Sequence, residues 1–436
     1  MMFWFSMKSA LERERCSNLM SFSFHAKKSP LLSSPMSEMV VDDIKSQLRG
    51  SKIWIPVLIG LGMAVYLLHS SLTAVRYEAD LVGPYSWVDG NGDGIIDPTS
   101  DQEFQISTDG TGGYQRITYN ETLQRVDWTG RALLFLGLAL LCLVIRVMAY
   151  IIRLKVLSDG AFNWRQCRDI VLLWEFASAV TPSVVGGSAI AVFFLNREGM
   201  SLGKGTAIVM VTAMMDELFY VTMVPLILIT VGGAALFPDD WQMRLFGQEL
   251  TAEGFFWVGY SFTFVLLFIL IYAVFINPRA FRFILLKIFS LPFLLRWKYR
   301  IVQWGNDLMA TSKELKGKPF SYWIKGLSAT YVSWTFRFIL LNCLLLMVVP
   351  SIDDLLAFAK QLVMWMIMLI SPTPGSSGVA EFAFYQFFGG SVVPLSLVGL
   401  LAILWRLLSY FPYLFAGVLI LPRWLARTSK KDTLPS

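Results

Sequence analysis

The sequence predicts an all-α polytopic membrane protein: six full transmembrane helices plus two broken re-entrant hairpins, arranged as an inverted repeat. Three observations predict it. Of 436 residues, 55% are hydrophobic and only 16% charged, and the mean hydropathy is +0.57, a balance suited to hydrocarbon rather than water. The pattern T-P-x-x-x-G occurs twice inside long apolar stretches, at Thr181–Gly186 and Thr373–Gly378. Finally, the two longest polar loops carry charge of opposite sign.

The elements follow in chain order. Residues 1–50 are rich in Ser, Met and charge and hold no apolar run of signal-peptide length, so they read as a disordered cytoplasmic tail. Met36 or Met39 would begin a more ordinary protein. A hydrocarbon core of about 30 Å needs about 20 apolar residues per helix. Stretches 53–72, 131–152, 205–231, 255–276, 323–349 and 396–421 meet that requirement. Segments 170–195 and 355–389 are as apolar but contain the Thr-Pro breaks. Loop 73–130 holds ten acids against three arginines, a balance of −7, which suits the outside. Loop 277–322 holds nine basic residues against Asp307 and Glu314, a balance of +7, which belongs in the cytoplasm. Both placements hold together only if 170–195 enters from the cytoplasm and returns, and 355–389 does the same from outside. Both termini, including the tail 429–436, then lie in the cytoplasm of a multi-pass plasma (inner) membrane protein. Within the basic loop, residues 279–300 alternate cations with apolar side chains, which fits an interfacial helix or a plain topology-setting loop.

Composition also excludes function classes. Basic residues concentrated in a few loops set membrane orientation, so a pI near 9.0 does not indicate nucleic-acid binding. The four cysteines show no metal-ligand spacing, and His25 and His69 are the only histidines. Aromatics at 14% fit a lipid-facing surface with interfacial belts.

Proline and glycine break helices, and a broken backbone in hydrocarbon leaves unpaired N–H and C=O groups. Such breaks survive only where they are buried in protein or line a cavity. A pair of them in corresponding halves of a chain points to a transporter's binding site. The run LWEFASAVTPSVVGG at Leu173–Gly187, Asp216-Glu217 and SPTPGSSGVAEF at Ser371–Phe382 resemble the flippase-like transmembrane region of lysylphosphatidylglycerol synthases, which also occurs as stand-alone proteins. The likeness covers roughly residues 51–428, and Pro372–Glu381 is its most specific part. It implies translocation of a lipid, or of a polyprenyl-linked carrier, between leaflets. Many members carry an acidic residue just after the first-hairpin glycine; here Gly186 is followed by Gly187, Ser188 and Ala189. Residues 422–436 alone follow the last span, so lipid aminoacylation is not expected and the chain reads as no enzyme.

Ionisable groups at membrane depth cost about 2.5–3.5 kcal/mol each on insertion scales and mark function by default. Arg146, Arg337 and Arg406 present forks that match phosphate, and with Thr181, Pro182, Gly186, Thr373, Pro374 and Gly378 they form the candidate substrate site. The half-helix after each break would add its free N–H groups. Asp216 and Glu381 are assigned to pair with arginines in the empty site or to accept protons. Glu175, Glu217 and Arg337 rank behind Asp216, Glu381 and Arg406, as groups that snorkel or merely pair, and internal salt bridging is the plain alternative for all. The expected partners are an anionic or polyprenyl lipid and the membrane, with no nucleic acid. Two other classes stay open: an intramembrane enzyme acting on a lipid phosphate, and a non-transporting scaffold.

In the acidic loop, Asp89, Asn91, Asp93, Ile95 and Asp97 match the opening of an EF-hand calcium loop, with glycine at the sixth position. The twelfth position is Ser100 rather than an acid, so the ligand set is incomplete in register. Ca2+ pinning this loop is favoured slightly over a plain Asp/Gly turn; no other cofactor is expected.

Overall fold

The computed structural model describes residues 76–80, 82–90, 92, 96, 102–108, 110–117, 128–181, 184–238, 242–245, 248–288, 298–369, 376, 379–390, 392–393 and 395–431. The tail 1–50 and the expected span 53–72 lie outside them.

Residues 76–117, read from sequence as an acidic loop, contain a small antiparallel sheet. Its strands are β1 (Arg76–Ala79), β2 (Tyr85–Trp87), β3 (Phe104–Ile106) and β4 (Tyr114–Ile117), in spatial order β1-β4-β2-β3. Tyr77 stacks on Phe104 with ring centroids 4.2 Å apart, and the rings of Tyr85 and Tyr114 meet this pair edge-on. Glu103, one of the loop's ten acids, points inward and accepts from Trp87 Nε1 at 3.3 Å. Of the calcium-like loop, Asp89 accepts from the Gly92 amide at 2.8 Å; Asn91, Asp93, Ile95 and Asp97 lie outside the described residues.

The rest is helical: α1 (Gly130–Leu157), α2 (Trp164–Val180), α3 (Val184–Arg197), α4 (Leu202–Val231), a two-strand ribbon β5 (Gln242–Leu245) and β6 (Gln248–Thr251), and α5 (Ala252–Ile271), which runs on as a π-helix to Ile276. Then come α6 (Pro278–Ile288), α7 (Lys298–Lys316), α8 (Phe320–Val348), α9 (Asp354–Met368), α10 (Val379–Phe388), α11 (Leu395–Ser409) and α12 (Phe411–Lys431). Starts are capped as the sequence dictates. Asn163 and Gln166 form a capping box on α2, Ser201 caps α4, and Asp353 accepts from the Leu355 and Leu356 amides.

Among the described residues, five helices are long and apolar enough to cross a membrane: Gly130–Leu157, Leu202–Val231, Ala252–Ile276, Phe320–Val348 and Leu397–Thr428. They coincide with five of the six expected spans. The last runs beyond the expected end at 421 and is interrupted at Tyr410, because Pro412 has no N–H to continue the ladder. Their outward faces are continuous hydrocarbon: Leu133, Leu134, Leu141 and Val144 on α1, and Phe264, Val265 and Phe268 on α5, are each more than half exposed. Water would penalise such a surface, whereas lipid matches it.

Among the described residues, helices α1 and α8 form the most extensive helix contact, an antiparallel pair tied along its length. Arg131 Nη2 donates to Pro350 O at 2.5 Å at one end, the Ser333 hydroxyl to Arg146 O at 3.2 Å in the middle, and the Tyr322 hydroxyl to Leu157 O at 3.0 Å at the other.

Both Thr-Pro segments are broken helix pairs. In the first, α2 ends at Thr181, whose extended backbone (φ −94°, ψ 137°) turns the chain before α3 starts at Val184. The two helices pack together so closely at Gly187 that a Cβ there would lie 2.0 Å from Ser178 Oγ. In the second, α9 ends at Met368 and α10 begins at Val379, with Ser376 in the left-handed region (φ 53°) and its hydroxyl on Met368 O at 3.2 Å. Pro182, Thr373, Pro374 and Gly378 fall outside the described residues. Gly186 sits in the first turn of α3.

Candidate functional site

A cavity of about 300 Å³ lies among α1, α2, α4, α8, α9, α11 and α12. Both breaks border it, the first through Thr181 and Ser188 and the second through Leu369 and Ser376. The described residues beside both breaks therefore line a cavity, as hydrocarbon demands of irregular backbone.

The cavity is ringed by arginines, each held over an aromatic ring. On α1, Arg146, Tyr150 and Arg153 recur at four and then three residues, which puts them on one helix face. Arg146 lies 5.0 Å from the centroid of Tyr150 and 4.9 Å from that of Tyr413; Arg153 lies 4.4 Å from Tyr150. The last span repeats the spacing with Arg406, Tyr410 and Tyr413, and Arg406 lies 4.3 Å over Tyr410. On α8, Arg337 lies 4.1 Å over Trp365 and 5.3 Å over Trp334. A desolvated cation over an aromatic face is stabilised by about 2 kcal/mol.

Three of the four also meet a carboxylate. Arg146 Nη2 donates to both Glu175 oxygens at 3.2 Å. Arg153 grips Asp216 with two nitrogens, at 2.5 and 3.4 Å, and donates to Thr330 Oγ1 at 3.1 Å. Asp216 takes a third bond from Trp334 Nε1 at 2.8 Å. Arg406 Nε donates to Glu381 Oε1 at 2.9 Å. Arg337 differs: among the described residues no carboxylate lies within 4 Å of it, and its two tryptophans are its company. The cavity also holds unanswered donors. Arg146 Nε and Nη1 and the Tyr220 and Tyr413 hydroxyls are buried without a hydrogen-bond partner among the described residues. Orphan buried donors cost about 1–3 kcal/mol each unless something accepts from them.

The sequence-predicted residues Arg146, Thr181, Asp216, Arg337 and Arg406 all line this cavity, as do Glu175 and Glu217, and Glu381 reaches its wall through Arg406. Sequence reasoning missed Arg153, because the second span was drawn to residue 152 while α1 runs to Leu157. It also missed Trp174, Trp334, Trp365 and Trp405, which line the cavity instead of joining an interfacial belt. The arginine–tyrosine spacing on α1 was the signal that would have found Arg153. Among the described residues no cluster of three or more His, Cys, Asp or Glu is placed to hold a metal ion.

A sequence profile described as "Lysylphosphatidylglycerol synthase TM region" matches residues 119–417. The chain is also similar to a UPF0104 membrane protein of Archaeoglobus fulgidus, 24% identical over 321 residues, which covers 68% of this chain and 87% of that one. No solved structure matches. The profile match begins well after residue 51, where the likeness was expected to start, and leaves out the sheet.

Proposed function

Because the chain belongs to the lysylphosphatidylglycerol synthase TM-region family, we propose that it carries an anionic phospholipid or a polyprenyl-linked lipid between the leaflets of a plasma membrane, leaving it chemically unchanged. The headgroup passes through the cavity while the hydrocarbon chains stay in the bilayer. A volume of about 300 Å³ is at the lower end for ligand sites and suits a headgroup alone. The arrangement that serves this best is six spans with two re-entrant hairpins entering from opposite faces and both termini in the cytoplasm. Loop charge and the two broken helix pairs support it.

The single observation that carries the reading is Arg337. A half-buried guanidinium held by aromatic faces, with no carboxylate at its edge among the described residues, presents its planar fork of donors to the cavity. Arg146 Nε and Nη1 add two buried donors in the same space. A phosphodiester answers all of them at once. The helix starts at Val184 and Val379, beside the breaks, add positive dipole ends.

The test is leaflet-resolved movement of labelled phosphatidylglycerol and polyprenyl phosphate in proteoliposomes. Wild type is expected to move at least one of them, and the recovered lipid to keep its mass. Arg337→Gln should slow movement about tenfold, since a charge-assisted contact is worth about 1.4 kcal/mol or more. Its thermal midpoint in detergent should fall by only a few degrees, because it loses the contacts with Trp334 and Trp365 but breaks no ion pair among the described residues. Full activity in folded Arg337→Gln would sink the reading.

A further inference from the structure

Glu217 neighbours Asp216 on α4, lines the cavity and is 7% exposed. The three other carboxylates at the cavity each have a guanidinium: Glu175 with Arg146, Asp216 with Arg153, Glu381 with Arg406. Among the described residues Glu217 has no basic group within 4 Å. The hydroxyl beside it is that of buried Thr263 from α5.

The charged and titratable groups nearest Glu217 come from α4 and from the elements packed against it; Tyr331 of α8 lies further along, its hydroxyl on Thr222 Oγ1 at 2.5 Å. On α4 itself are Asp216, committed to Arg153 and Trp334, and Tyr220. From α5 comes Tyr260, whose hydroxyl is spent on Val221 O. From α8 comes Arg337, and behind it Arg153 and Tyr150 on α1. Helix α9 turns Trp365, Met366 and Met368 to the cavity, and its Lys360 donates to Phe387 O. Helix α3 contributes Ser188, while its Arg197 lies at the far end. On α7, Asp307 and Glu314 lie against Gly203 and Lys204, about 20 Å along α4 from Glu217.

Charge balance then decides the state of Glu217. Four guanidiniums face three paired carboxylates, so one positive charge, that of Arg337, is left over. With the cavity empty, an ionised Glu217 cancels it. With a phosphate monoanion bound to Arg337, an ionised Glu217 would leave one negative charge in excess in a low-dielectric space, and a protonated Glu217 restores neutrality. We propose that Glu217 is a proton-binding site that loads and unloads together with the anionic headgroup, so that one proton crosses with each monoanionic lipid. This rests on the translocation reading above. It makes the cycle electroneutral in both its loaded and its empty form, and intramembrane carboxylates that relay protons are a recurrent device of transporters. The coupling is one proton to one headgroup, so a pH difference of one unit drives about a tenfold steady-state asymmetry of the lipid toward the alkaline side.

The test uses the full chain in proteoliposomes with labelled phosphatidylglycerol, an imposed pH difference and a trapped pH dye. Wild type is expected to concentrate the lipid about tenfold per pH unit in the leaflet facing the alkaline side and to pass one proton per lipid. Glu217→Gln, neutral and nearly isosteric, should lose both the asymmetry and the proton flux whatever its rate, and Glu217→Asp should restore them. Wild-type movement of phosphatidylglycerol with neither proton flux nor asymmetry overturns the coupling and leaves translocation standing, as does flux that persists in Glu217→Gln. Preferential movement of phosphatidylethanolamine, lost in Glu217→Gln, would assign the carboxylate to an ammonium and overturn the proton site. Movement of no lipid at all removes the translocation reading and this inference with it.

Discussion

The first broken helix pair, α2 and α3, borders two polar clusters that treat their hydrogen-bonding groups differently. At the end away from the break, Glu198 is enclosed by Trp424 Nε1 at 2.7 Å, Gln166 Nε2 at 2.7 Å and the Arg427 guanidinium. Arg427 also reaches Asp169 at 3.1 Å. This cluster ties α2 and the end of α3 to the final helix, and apart from Arg427 Nε its polar atoms are answered. At the break end, Arg146 keeps two donors idle, Tyr413 keeps its hydroxyl idle, and Arg337 has no acid among the described residues. Both clusters are built from arginine, carboxylate and an aromatic ring. What separates them is completeness: among the described residues the nearly saturated first cluster leaves one buried donor unanswered, and the unsaturated second, where the headgroup site is proposed, leaves three.

Substitutions can break that contrast, and the largest expected effect is at the saturated end. Glu198→Gln removes the acid from a fully buried position and leaves Arg427 only its bridge to Asp169. A loss of about 3 kcal/mol is expected, measured as a lower thermal midpoint in detergent, while lipid movement per folded molecule stays near wild type. The opposite result, normal stability with lost movement, would erase the distinction between the clusters. Next comes the crossing of α2 and α3. Gly187→Ala forces a Cβ to within 2.0 Å of Ser178 Oγ and 2.8 Å of Ser178 Cα. Pushing the helices apart costs about 2 kcal/mol and shifts the break that borders the cavity, so both the midpoint and the rate should fall.

The smallest effect belongs to a third group of charges, outside the membrane segments. Lys318 bridges Asp159 at 2.7 Å and Glu314 at 3.3 Å, and Lys204 meets Glu314 at 3.2 Å. Slight burial pushes the Glu314 carboxyl up, but the bonds from Lys204 and Lys318 outweigh it and hold it below the usual carboxylate range. The bond to Asp159, with help from Glu314, raises Lys318. A lowered acid stabilises the fold above its unfolded value and loses that contribution as pH falls through the folded one; a raised lysine loses its share as pH rises through its folded value. The cluster therefore contributes across neutral pH and fades at both extremes. Lys318→Ala should cost less than about 1 kcal/mol, because these side chains are solvated, and added salt should shrink the difference further. A loss as large as that of Glu198→Gln would show that exposure does not set the scale here.

Much of this was legible in the chain. The breaks announced themselves because proline and glycine act on the backbone locally, and Arg146, Arg337 and Arg406 stood out as charges in apolar runs. Their partners were harder. Arg153 was lost to a boundary, since bilayer thickness suggests where a span must reach but not where its helix stops. The sheet at 76–117 was invisible because strands of three or four residues are too short for alternation to register. The Glu198–Arg427 bond joins residues 229 positions apart, and no local pattern encodes such a meeting. The tryptophans were misplaced because composition counts rings without saying which way they face.

The rings beneath the arginines have one more consequence. A guanidinium that trades one oxyanion for another in a dry space would ordinarily pass through a moment of bare charge, and that moment would set the barrier. On the translocation reading proposed above, Tyr150, Tyr410, Trp334 and Trp365 would keep their contacts with the guanidiniums through such an exchange. The same reading then expects quick movement of the headgroup even though each resting ion pair is held firmly.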